Sequence, residues 1–64
     1  MLWLSEMLIQ NYDLESFAAL TEAVKARARD GEMFLRMDVR PPFPDTPEDW
    51  EERLEAAFST APRR

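Results

Sequence analysis

The chain is 64 residues long, 45% apolar and 33% charged, with a net charge of −5 and neither cysteine nor histidine. A length of this order allows one domain, which buries only about 60% of the surface its unfolded form exposes. The missing residue types exclude disulfides, thiolate zinc sites and the commonest neutral metal ligand, so self-association is the route left for supplementing a small core.

The first ten residues begin with an apolar run, 1–9, interrupted by Ser5 and Glu6. It has no basic leader and no small-residue cleavage site, so no signal peptide is expected. No stretch approaches the roughly 20 apolar residues that span a bilayer, and the expected location is the cytoplasm with no membrane contact. A short apolar run fits a buried strand or a buried helix equally. Leu, Met, Glu and Gln favour helix, but a later strand needs a ladder partner, which favours the strand.

A helix is expected from about Leu14, with Asp13 as N-cap, Glu15 in the first turn and Lys25, Arg27 and Arg29 toward the end. Phe17, Leu20, Val24 and Ala28 recur at helical spacing and should face the core. Gly31, the only glycine in the chain, reads as the left-handed residue that stops the helix.

After Gly31 the period becomes two. Met33, Leu35, Met37 and Val39 fall on one face and Phe34, Arg36, Asp38 and Arg40 on the other, a half-buried strand. Pro41 and Pro42 end it, and 41–44 should run as a stiff extended connector. A second helix follows, with Thr46 as N-cap, Pro47 at the first helical position and Asp49 closing a variant capping box. Its apolar stripe is Trp50, Leu54, Ala57 and Phe58. The aromatic residues Trp3, Trp50 and Phe58 are expected in the core. Residues 59–64 have nothing evident to bury and read as a frayed tail, leaving 1–58 as a single domain. The expected fold class is α+β: β-α-β-α with a short two-stranded sheet, or α-α-β-α with the strand paired between chains if the N-terminus is helical.

Catalytic equipment is absent from this reading. General acid-base work near neutral pH most often uses histidine, and nucleophilic catalysis an activated serine or cysteine. One glycine cannot build a phosphate-binding loop. The acidic run Asp45, Glu48, Asp49, Glu51, Glu52 and Glu55 lacks the alternating ligands of a calcium loop and reads as a solvated helix face. No catalytic residue, metal ligand or cofactor is therefore assigned.

Charge is nonetheless unevenly distributed. Residues 25–40 carry five basic against three acidic side chains, a net of +2, whereas 45–55 carry one against six, a net of −5. A basic patch for nucleic acid is one use of this asymmetry, although the acidic total argues against it. Docking to a second copy or another protein is the more economical use.

The strand supplies a candidate interface of Phe34, Arg36, Met37, Asp38 and Arg40. Antiparallel pairing of two copies centred on Met37 sets Arg36 opposite Asp38 and Phe34 opposite Arg40, whereas centring on Arg36 or Asp38 sets like charges face to face. Such a pair is isologous, as a twofold dimer requires. The sequence thus points to a non-catalytic protein-protein interaction module that self-associates. Its rivals are a regulator touching nucleic acid through the basic segment and a ligand-sensing subunit with a pocket beside Trp50.

Overall fold

Helix formation in the middle of the chain follows the apolar spacing. In the computed structural model, which describes residues 1–11 and 13–61, the longest helix spans Phe17–Arg29. Around it the chain runs β1 (Leu2–Trp3), α1 (Leu4–Gln10), α2 (Phe17–Arg29), β2 (Leu35–Arg36) and α3 (Trp50–Thr60). The two strands pair in parallel, Leu2 beside Leu35 and Trp3 beside Arg36. The protein is a small α+β domain, and both readings of the N-terminus are partly realised. Leu2 and Trp3 form a strand and Leu4 begins a helix, so the order is β-α-α-β-α.

The core forms where α2 and α3 meet beneath the N-terminal segment. Leu20, Val24 and Ala28 of α2 are fully buried with Phe17 nearly so, as the spacing predicts. They pack with Leu54 and Phe58 of α3 and with Leu2, Leu4 and Met7. Among the described residues no polar or charged side chain is buried, so the core is held by apolar contact alone.

Gly31 has φ 108°, and the end of α2 explains that angle. The Gly31 amide donates to the Ala28 carbonyl at 3.1 Å and the Glu32 amide to the Arg27 carbonyl at 3.2 Å. This pair of bonds is a Schellman motif, and it turns the chain directly into β2.

Four element boundaries differ from the expectation. α2 starts at Phe17 and not near Leu14, because Ser16, not Asp13, is its N-cap and accepts from the Ala19 amide; Leu14 instead packs half-buried against the core. The seven-residue strand 33–39 shrinks to Leu35–Arg36, since its partner offers only Leu2 and Trp3 before turning helical. Met33 and Val39 are consequently exposed, while Leu35 and Met37 stay half-buried. α3 starts at Trp50 and not at Pro47. Thr46 does not cap it: its hydroxyl donates to the Pro41 carbonyl at 3.3 Å and so closes the 41–46 loop. At the other end, Ser59 and Thr60 continue α3 and Ala61 is buried, whereas the expected frayed tail began at Ser59; residues 62–64 of that tail lie outside the described residues.

Trp3 is a further correction. Period two along β1 sends Leu2 inward and Trp3 outward, and Trp3 is 38% exposed. Phe58 is buried and Trp50 half-buried against the core.

Candidate interaction surface

The loop and strand between α2 and α3 carry the five residues singled out by the sequence, and they have separate tasks. Asp38 faces the first turn of α1. Its carboxylate accepts from the Ser5 amide at 3.1 Å and from the Ser5 hydroxyl at 2.6 Å. Helix starts leave amides unpaired, and Trp3, the N-cap of α1, offers no side-chain acceptor, so Asp38 supplies the cap from 33 residues away. The Ser5 hydroxyl, then the Ser5 amide, hold the Asp38 carboxyl below the usual carboxylate range.

Asp45 repeats the device on α2. It accepts from the Phe17 amide at 2.7 Å and from the Ala18 amide at 3.4 Å, beside the Ser16 hydroxyl that takes the Ala19 amide at 3.0 Å. The Phe17 amide is the main reason its carboxyl is also held low. Asp49 is lowered chiefly by the Arg53 side chain, which donates to it at 2.7 Å. All three acids are therefore held as anions, the opposite of what a proton donor near neutral pH needs. Among the described residues no group of three acids is placed to hold a metal ion.

Arg36 extends over the Trp3 ring, 5.5 Å from its centroid, a cation-π contact between paired residues of the two strands. Arg40 is exposed and Met37 half-buried against the core. Phe34 is 64% exposed, and beside it Met33 is 69% exposed. These two adjoin a groove of about 280 Å³ that also has Leu35, Met37 and Phe58 in its lining, with Glu55 and Ser59 of α3. The strand, the groove and the Trp3–Arg36 stack thus bring together Phe34, Arg36 and Met37. Asp38 and Arg40 lie beyond the strand.

Two of the basic residues of α2 are paired with acids. Lys25 pairs with Glu22 at 3.0 Å, and Arg27 with Glu32 at 3.8 Å. Glu32 also meets the terminal amine at 3.6 Å. A shallow concavity of about 560 Å³ lies between α2 and α3, with Ala18, Thr21, Ala56 and Ala57 in its lining; Trp50 does not line it. No helix among the described residues is long and apolar enough to cross a membrane.

Sequence reasoning missed the caps made by Asp38 and Asp45, and it misplaced Trp3 and Met33. Period two did contain the signal for Trp3, since Leu2 and Trp3 must point to opposite faces. No family model, curated protein or solved structure matches the chain.

Proposed function

We propose that this chain is a small non-catalytic protein-protein interaction module of the cytoplasm that self-associates as a dimer through its 33–36 segment. The observation that carries the reading is the adjacent pair Met33 and Phe34, 69% and 64% exposed, at the edge of a groove lined by Leu35, Met37 and Phe58. Single exposed apolar side chains need no explanation, but a contiguous apolar surface marks an interaction site. A two-stranded sheet is also marginal by itself and gains from further strands. The non-catalytic part rests on the residues available: the chain lacks histidine and cysteine, and the best-positioned carboxylates serve as helix caps or ion-pair partners.

Sedimentation velocity across a wide concentration range tests the reading. The expected result is a species of twice the chain mass that Phe34→Glu converts to monomer while the helical circular dichroism is retained. A wild-type chain that sediments as monomer throughout would overturn it.

A further inference from the structure

The outer edge of β2 has backbone groups that can pair with a partner strand. The Leu2 amide donates to the Phe34 carbonyl at 2.8 Å, so the backbone groups of Phe34, and by alternation those of Arg36, face β1. The amide and carbonyl of Leu35 face the other way, and among the described residues the sheet has two strands. An edge of this kind is a template for another strand.

We infer that a second copy of this chain adds its own β2 antiparallel to that edge, centred on Leu35, making a four-stranded sheet in which each Arg36 lies between Trp3 of its own chain and Phe34 of its partner. The inference rests on the self-association reading and specifies the contact that reading leaves open.

Three observations converge on this register. Leu35 presents the outward backbone groups, so a Leu35–Leu35 hydrogen-bonded pair uses the edge as it stands. Centring there sets Phe34 opposite Arg36 twice. Arg36 already lies over Trp3, so its second face receives the aromatic ring that is otherwise in water, and cation-π contact stabilises both pairs. On the inner face, Met33 meets Met37, and the groove of about 280 Å³ lined by Leu35, Met37 and Phe58 receives the partner's apolar side chains.

A register centred on Met37 demands more of the fold. Its twofold centre, Met37, lies past Arg36, where β2 ends, whereas Leu35 lies within β2. It also sets Arg36 against Asp38, whose carboxylate is committed to both polar groups of Ser5.

The absence of cysteine permits a clean test by disulfide trapping. Phe34→Cys and Arg36→Cys chains are mixed in equal amounts and oxidised with glutathione. Opposite residues in a non-hydrogen-bonded antiparallel pair lie about 4.5 Å apart between Cα atoms, within disulfide range. The mixed dimer also keeps its other Phe34–Arg36 pair intact. The expected product is the 34-to-36 heterodisulfide, in several-fold excess over either homodisulfide. Statistical proportions, or faster homodisulfide formation by Met37→Cys than by the mixture, would overturn this register. Sedimentation of the wild-type chain separates the two failures: a dimer with the wrong cross-links sinks only the register, whereas a monomer sinks the self-association reading as well.

Discussion

At Gly31 the backbone sits at φ 108°, a region that residues with a Cβ rarely adopt. Nothing lies within 4 Å of a Cβ built there, so the cost of Gly31→Ala is conformational and not steric. About 1 kcal/mol is expected from forcing an L side chain into left-handed geometry. For a domain of this size that lowers the thermal midpoint by roughly 4–8 °C. A midpoint equal to wild type in differential scanning calorimetry would show that the turn relaxes. Ser16 offers a second measurement at this scale. Its hydroxyl is the local acceptor at the start of α2, and Ser16→Ala should cost about 1 kcal/mol; Asp13→Ala should cost nothing comparable, because Asp13 caps no helix. Both residues are equally good caps by type. Gly31 was legible from sequence because its requirement is local, while the choice of Ser16 over Asp13 was settled by Asp45, 29 positions further along the chain.

Elements whose ends are fixed by distant side chains are the ones sequence periodicity placed poorly. The apolar stripes of α2 and α3 were readable because a buried face repeats every three to four residues. The start of α1 depends on Asp38 and that of α2 on Asp45, contacts that no local pattern encodes. Those contacts carry a pH dependence. Both carboxyls are held below their usual range by amide or hydroxyl donors, so their contribution to stability is fully present above the unfolded-state pKa, about 3.9. It is lost as pH falls through the lower folded-state values. Asp45→Ala should therefore be less stable than wild type at pH 7, and the gap should narrow steadily below about pH 4. Urea titrations at several pH values give the comparison, and a gap constant down to pH 2 would remove Asp45 as a charged cap. The candidate surface was legible in part for a related reason. Alternation identified Phe34 and Arg36 correctly as exposed, but strand length depends on the partner, and β1 contributes only Leu2 and Trp3.

Over the whole molecule, the exposed apolar residues cannot be attributed to loose packing. The radius of gyration is 10.7 Å, the same as the roughly 10.7 Å that chain-length scaling gives for a folded domain of this size. The accessible surface is 4376 Å², close to the roughly 4,250 Å² expected for its mass. The chain is as compact as expected for its length, yet Met33 and Phe34 stay outside, because the core is filled by other side chains. Burying them requires a second molecule. Stability then becomes inseparable from concentration, since whatever binds only the folded state stabilises it by mass action. A tenfold rise in concentration is worth about 1.4 kcal/mol per dimer, or about 0.7 kcal/mol per chain. With a shift of roughly 4–8 °C per kcal/mol, the thermal midpoint should climb by about 3–6 °C for each tenfold step. Phe34→Glu should melt at a midpoint independent of concentration and equal to or below that of dilute wild type. Calorimetry over a hundredfold range is enough to decide. A flat wild-type midpoint would mean that the core supplies all the stability, and a climbing midpoint in Phe34→Glu would mean that association uses another face.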